Sequence, residues 1–586
     1  MSERRQPAEQ PSGARGGPWS LLPLGAWPHV SDIFLFAAVF AGIYAFAHVA
    51  SNWLGPAAPH VVIESNPWFL FGYAGASLLR MLIAYVLSLA FAIAYGYWAA
   101  SSATAERLLI PLLDILQSIP VLSFLPGVML GMVALFPGQQ IGIEMGAILL
   151  IFTGQVWNLA FSFYASLRSI PSEMREASRL YGFTWWQRYR QIEMPAATIG
   201  LVWNSMMSVA GGWFFLMACE QFELGNRDFR LPGLGSYLQT AAGAGDTHAI
   251  LWGIAAMVIV IVLLDQVLWR PLIAWSQKFK LEQGASAESA SSWMLDWLRQ
   301  SQMLARLHDA VVAPLTERIA MRAARIPPEQ SGAPPSGVRR WARRSLAAAG
   351  ILVIAYAVAR AAMLLGGLSP AEVADVGKGL GTTLVRVFVT LAIGAAWAIP
   401  TGVAIGLNPR LARIAQPLAQ IAASIPATAL FPVVLLLLIG WGRGMELAAI
   451  VLMLLGTQWY ILFNVIAGAT ALPTELREAA RVFRFRRWDR WRRLILPGIF
   501  PYLVTGLITA SGGAWNASII AEYFHFRGRI FATVGIGALI SHATDTGNFR
   551  LLLAATVALA VVVVLLNRLV WRPLYRLADT RFRLEG

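Results

Sequence analysis

Cysteine is nearly absent from this 586-residue chain. Cys219 stands alone, which excludes a disulfide within the chain and any cluster of thiolate metal ligands. Lysine is almost as scarce, with Lys278, Lys280 and Lys378 the whole complement. No Gly-x4-Gly-Lys-Ser/Thr phosphate loop occurs around any of them, so no nucleotide-hydrolysing site of that kind is written into the sequence. Charge is thin throughout: 13% of residues are charged against 57% hydrophobic, where a soluble domain carries roughly 25% charged residues. No His/Cys/Glu grouping has metal spacing and no nucleophile–base pair is indicated, so no catalytic residue, metal site or cofactor site is expected.

What is present is a series of long apolar windows. Ile33–Ser51, Leu78–Ala100, Ile143–Ala165, Ala249–Leu268, Ala347–Leu365, Val387–Leu407, Leu447–Ala469 and Leu551–Leu566 are almost free of charge. About 20 apolar residues in a helix span a hydrocarbon core of roughly 30 Å, so the chain reads as an all-α polytopic membrane protein. Its net charge of +15 does not point to nucleic acid. Arginine is dense in Arg168–Arg190, Lys278–Arg344, Arg477–Arg493 and Arg568–Arg583, while Trp53–Ala76 and Phe136–Ala165 have neither Lys nor Arg. That alternation is the asymmetry that orients a membrane protein, with the basic loops cytoplasmic. Residues 1–31 are polar and rich in Pro and Gly, and are expected to form a disordered cytoplasmic tail, not a signal peptide.

The chain is internally repeated. Ser169-Ile170-Pro171-Ser172-Glu173-Met174-Arg175-Glu176-Ala177 returns 302 residues later as Ala471-Leu472-Pro473-Thr474-Glu475-Leu476-Arg477-Glu478-Ala479. Trp269-Arg270-Pro271-Leu272 returns as Trp571-Arg572-Pro573-Leu574, Gly233 and Gly235 as Gly535 and Gly537, and Glu220 as Glu522, all in the same register. Ser118-Ile119-Pro120 returns as Ser424-Ile425-Pro426 at a slightly longer spacing. A register held over such a stretch marks a tandem duplication. Each half has room for six spans, about 12 in all, so the repeats run parallel. The expected units are 32–276 and 343–586. A connector, 277–342, joins them, with apolar helical spacing from Trp293 to Ala324 that suits an amphipathic helix on the inner membrane surface.

The repeated basic segment carries the sharpest functional signal. It runs Glu176-Ala177-Ser178, Gly182 and Ile192-Glu193-Met194-Pro195 in the first half, and Glu478-Ala479-Ala480 and Leu494-Ile495-Leu496-Pro497 in the second. This resembles the Glu-Ala-Ala loop of ABC importer permeases. Ser424 to Pro432, Gly440-Trp441-Gly442, Trp515 to Glu522 and Val534 to Ile540 look like the nitrate/sulfonate/taurine/bicarbonate group, in its duplicated, fused form. The resemblance implies a type I importer permease fold in a bacterial inner membrane. It also implies two ABC ATPase subunits that bring ATP and Mg, an extracytoplasmic solute-binding protein, and a small anion as cargo. The coupling residues it implies are Arg175, Glu176, Ala177, Gly182, Pro195, Arg477, Glu478, Ala479, Arg484 and Pro497. Arg484 stands where the motif has glycine, so the second loop is expected to dock differently. A permease for a neutral or cationic solute and an ATP-independent secondary transporter remain alternatives.

Ionisable residues within spans are rare and often functional. Arg80 and Arg386 match, as do Glu144 and Glu446, and Glu220 and Glu522. Arg80, Arg386, Glu220 and Glu522 are expected to serve gating or structure, against the plainer reading that the arginines snorkel to the interface and that Glu144 and Glu446 cap the fourth spans. Gln155 and Gln458 lie mid-span, where an amide bonds a neighbouring helix or offers its NH2 to a passing oxyanion. The prolines of the broken third spans free backbone groups, which transporters tolerate beside a cavity. Ser118, Ser123, Gln155, Ser424, Thr428 and Gln458 are therefore the expected pathway.

Overall fold

The computed structural model describes residues 61–224, 227–279, 292–300, 313–324, 359–438, 444–526 and 529–581, with single positions between them. The tail expected at 1–31, the first span of the first half and most of that of the second lie outside the described residues, as does much of the connector. Eight helices among the described residues are long and apolar enough to cross a membrane, and a bent pair in the first half makes a ninth candidate.

The first half contains α1 (Leu70–Ser101), the broken span α2 (Ala103–Ser118) and α3 (Leu125–Leu135), α4 (Gln140–Arg168), and the short α5 (Ser172–Leu180) and α6 (Trp185–Arg188). Then come α7 (Met194–Glu220), a hairpin of β1 (Glu223–Leu224) and β2 (Arg227–Asp228), α8 (Leu234–Ala244), α9 (Thr247–Leu264) and α10 (Arg270–Ser276). The connector helix expected from Trp293 to Ala324 is described as two pieces, α11 (Trp293–Arg299) and α12 (Ala313–Ala324), with α11 against α10 and α12 against α6. The second half repeats the plan with α13 (Pro370–Leu407), α14 (Pro409–Ser424), α15 (Ala427–Leu438), α16 (Gly444–Thr470), α17 (Thr474–Val482), α18 (Arg487–Arg490) and α19 (Leu496–Ala521). It closes with β3 (Tyr523–Phe526) paired to β4 (Arg529–Ala532), then α20 (Ile536–Asp545), α21 (Phe549–Leu566) and α22 (Arg572–Arg581).

Proline shapes this plan at matched places. Ile119 and Ile425 precede Pro120 and Pro426 and are extended, because a residue before proline is driven out of the α region. The third span therefore breaks, and its two pieces in the first half lie 83° apart. Pro195, Pro271, Pro497 and Pro573 each stand two residues past a π-turn, over Tyr189–Glu193, Asp265–Trp269, Trp491–Ile495 and Asn567–Trp571. Proline offers no N–H to the carbonyl four residues back and crowds it. The residue before each proline bonds five back instead, from Met194 to Tyr189 and from Arg572 to Asn567.

The halves meet reciprocally. α2 packs on α21 and the 3-10 turn Val121–Phe124 on α19, while α14 packs on α9 and α15 on α7. Each broken third span thus leans on the other half's fifth and sixth spans, and one apolar core runs through both halves. At the outer face β3 packs on α8 and α20 on β1.

Candidate functional site

The two repeated basic loops are built alike. α5 ends at a left-handed residue, Gly182, at φ 63°, with the Phe183 N–H bonded to the Ser178 carbonyl at 2.9 Å and the Gly182 N–H to the Arg179 carbonyl at 3.1 Å. That is the Schellman arrangement, which favours glycine. In the second loop Arg484 takes the same place at φ 51°, with Phe485 bonded to Ala480 and Arg484 to Arg481, each at 3.0 Å. The backbone bonds hold Arg484 in the glycine conformation.

Side chains in the loops sort by face. Ser178 and Ala480 are buried, Ala177 and Ala479 half-buried, and Glu176 and Glu478 exposed. Arg175 donates back to the Leu167 carbonyl at the end of α4, and Arg477 is half-buried at the matched position. Pro195 and Pro497 open the spans that follow. Just before each left-handed residue, Leu180 and Tyr181 are 87% and 80% exposed, and Val482 and Phe483 are 78% and 74% exposed. Sequence reasoning did not single out Leu180, Tyr181 and Val482. Their signal was the matched apolar pair one residue before Gly182 and Arg484.

At the outer end of each half lies a buried knot. Glu220 ends α7, is fully buried, and accepts from Ser77 Oγ at 2.6 Å, Arg80 Nη1 at 2.7 Å and the Gly235 N–H at 2.7 Å. Ser77 Oγ in turn accepts the Leu234 N–H at 3.0 Å. Arg80 grips Glu144 with a fork of 2.5 and 2.9 Å and donates to the Pro232 carbonyl. In the second half Glu522 accepts from Thr383 at 2.7 Å, Gly537 N–H at 2.8 Å and Arg386, while Thr383 accepts the Ile536 N–H at 2.9 Å. Each carboxylate sits under the N-terminus of α8 or α20, where the first amides and the helix dipole favour negative charge. The repeated glycines make the space: a Cβ on Gly233 would lie 2.2 Å from the Glu220 carboxyl carbon, and one on Gly535 2.1 Å from Glu522 Oε2. Ser77 and Thr383 were not singled out from the sequence.

These knots correct the snorkelling reading, since Arg80 is 1% exposed and locked between two carboxylates. They also separate two residues that matched in sequence. Glu144 is buried on Arg80, whereas Glu446 is exposed and Arg386 reaches Thr533 and the Val534 carbonyl instead. Outside the spans, His525 bonds Asp545 at 3.1 Å, and that bond raises its pKa above the ordinary imidazole value against the opposing effect of burial.

The expected pathway residues are only partly brought together. Ser123 and Thr428 are buried beside the two breaks. Ser123 donates to the Pro120 carbonyl at 2.7 Å, and its own carbonyl accepts Thr556 from the other half at 3.1 Å. Asn516, on α19, lies 3.5 Å from the Leu122 N–H. Gln458 is 8% exposed. Gln155 is fully buried within its own half, its Nε2 on the Met81 sulfur at 3.0 Å and close against Gly212, while its Oε1 has no protein partner. The side chains of Ser118 and Ser424 lie outside the described atoms.

Comparison with known proteins assigns the class. The family described as binding-protein-dependent transport system inner membrane component matches the chain twice, over residues 88–268 and 398–583. The two stretches cover more than half of the sequence, and the chain belongs to this family. A nitrate import permease of Leptolyngbya laminosa is 29% identical over 191 residues, 33% of this chain and 65% of its own length. A bicarbonate transport permease of Synechococcus elongatus is 30% identical over 188 residues, 32% of this chain and 64% of its own. A taurine transport permease of Escherichia coli is 28% identical over 188 residues, 32% of this chain and 65% of its own. The chain thus spans just under two thirds of each of these three relatives. The resemblance drawn from the Glu-Ala-Ala loops is borne out, and the double match fits a fused, duplicated permease.

Proposed function

We propose that this chain is the membrane part of an ATP-driven importer, passing a small anion inward between its two halves while separate ATPase subunits dock on Ser172–Glu193 and Thr474–Ile495. The observation that carries this reading is the pair of matched cytoplasmic loops. Each presents two exposed apolar side chains on a helix whose C-terminal turn is fixed by a left-handed residue. An apolar tip held out into water by a well-bonded turn calls for a partner groove, and rigid attachment to the following span lets a push on the tip move that span. The relatives' cargoes (nitrate, bicarbonate, taurine) support an oxyanion. The pathway follows the pseudo-two-fold axis past Ser123, Thr428 and Gln458, with Gln155 turned to packing. The outer hairpins and α8 and α20 form the face that suits a solute-binding protein, and the setting is a bacterial inner membrane.

The test replaces the tips. Leu180→Asp with Val482→Asp places charge in both proposed contacts while leaving exposed positions exposed. The variant is expected to insert normally but to lose ATPase co-purification and at least about tenfold of stimulated hydrolysis, since losing about 1.4 kcal/mol at each tip is within reach of one buried aliphatic side chain. Unaltered co-purification and transport would remove these loops from the ATPase contact.

A further inference from the structure

The second half differs from the first at one outer-leaflet position, and the difference opens a site. Between α13 and α16 lies a pocket of about 470 Å³ lined by Lys378, Gly381, Thr382, Val385, Arg386, Val389, Glu446 and Ile450. In the first half the same place is filled by the Arg80–Glu144 fork, and Gly72 stands where Lys378 is. Here Arg386 turns to Glu522, Glu446 is left exposed, and Lys378 enters from the neighbouring helix. Lys378 and Glu446 make no ion pair with each other, one standing on each helix, and a Cβ on Gly381 would meet nothing within 4 Å.

Depth identifies the occupant. Lys378 precedes the apolar core of α13 by about two turns, roughly 10 Å above Val385 at 1.5 Å per residue. Directly below, Val385, Val389 and Ile393 form a stripe at helical spacing, 63%, 39% and 44% exposed. Leu79, the counterpart of Val385, is 7% exposed, so the top of this face, beside the polar lip, is closed in the first half and open in the second. An apolar stripe at hydrocarbon depth is met by an acyl chain, and the polar lip above it lies at the level of headgroups. The lip carries both signs: the exposed Lys378 for a phosphate and the exposed Glu446 for an ammonium.

We propose that this pocket is a binding site for one outer-leaflet phospholipid with a primary ammonium headgroup. Lys378 takes the phosphate, Glu446 takes the ammonium, and one acyl chain lies along Val385, Val389 and Ile393. A free phosphate ester would satisfy the lip alone, so the two sources are separable.

The full-length chain is purified in mild detergent, exchanged into equal phosphatidylethanolamine, phosphatidylglycerol and phosphatidylcholine, and its retained lipid counted by native mass spectrometry. The wild type should retain one phosphatidylethanolamine preferentially. Lys378→Gln should weaken that retention about fivefold, the effect of one interfacial cation, and Lys378→Arg should restore it. Glu446→Gln should shift preference toward phosphatidylglycerol. Lys378 and Glu446 are exposed, so thermal unfolding of these variants should match the wild type. Equal retention and preference in all variants would overturn the proposal. So would displacement of the lipid by millimolar free phosphoethanolamine, which would assign the lip to a soluble anion.

Discussion

Arg484 occupies a conformation that costs an L-residue about 1–2 kcal/mol, on a loop whose twin uses glycine. The turn itself does not require the arginine, since its backbone bonds are the same in both loops. Arg484→Gly is therefore expected to stabilise the α17 terminus by about 1 kcal/mol and, on the proposed function, to lower affinity for the ATPase that would dock on this loop. Thermal unfolding and co-purification on one preparation check both signs; a gain in stability with unchanged affinity would leave the arginine without a role at that contact. The identity of this residue was legible in the repeat, but its conformation was not. Propensity alone argues for a changed turn, and the backbone bonds of the turn overrule it. Gln155 shows the same limit: helical periodicity places it mid-span but does not fix the few tens of degrees of rotation that put its amide on Met81 and not toward the other half.

At the scale of elements, the knots turn separate sequence matches into one device. Each joins a second span, a fifth span and the start of an outer loop helix through a carboxylate that is fully buried. Removing one partner of such a pair costs about 3–5 kcal/mol because the other charge is stranded, whereas removing a hydroxyl that supports it costs about 1–3 kcal/mol. Ser77→Ala and Thr383→Ala are therefore expected to loosen α8 and α20 respectively without unfolding the spans, seen as faster amide exchange in those helices alone. Gly535→Ala should do more, since its methyl group would displace a carboxylate held by Thr383, Arg386 and Gly537. Exchange unchanged in all three would mean that the loop helices are held by packing instead. The spans themselves were plain from hydropathy, and the proline breaks from Ser-Ile-Pro. The knots were not, because Arg80 and Glu220 are 140 residues apart and only the recurrence of Arg and Ser/Thr at one offset and of Glu and Gly at another hinted that they travel together.

At the scale of the whole molecule, the two halves are joined by an interface that is symmetric in packing and asymmetric in charge. On one side Asp114 of α2 pairs with Arg572 of the other half. The symmetry-related arginine, Arg270, faces Gln420 in place of an aspartate, and pairs instead with Asp265 five residues earlier on its own chain segment, at 3.1 Å. Asn567 is the counterpart of Asp265. Each arginine thus keeps one carboxylate, supplied across the halves in one case and within a half in the other. A cavity of about 20 Å³, bounded by Asp265, Arg270 and Gln420, fills the place of the missing cross-link, room for about one water. If the cytoplasmic ends of the halves part during transport, the Asp114–Arg572 pair must break, whereas Arg270 keeps its carboxylate within its own half. Moving the carboxylate tests this: Asp265→Asn with Gln420→Asp keeps the net charge and builds the second cross-link. A partly exposed pair is worth up to about 1 kcal/mol, which is about fivefold in a rate limited by parting. The double variant is expected to melt higher and turn over about fivefold more slowly, and Asp114→Asn to do the reverse. A higher melting temperature with unchanged turnover would show that the halves stay together there throughout the cycle.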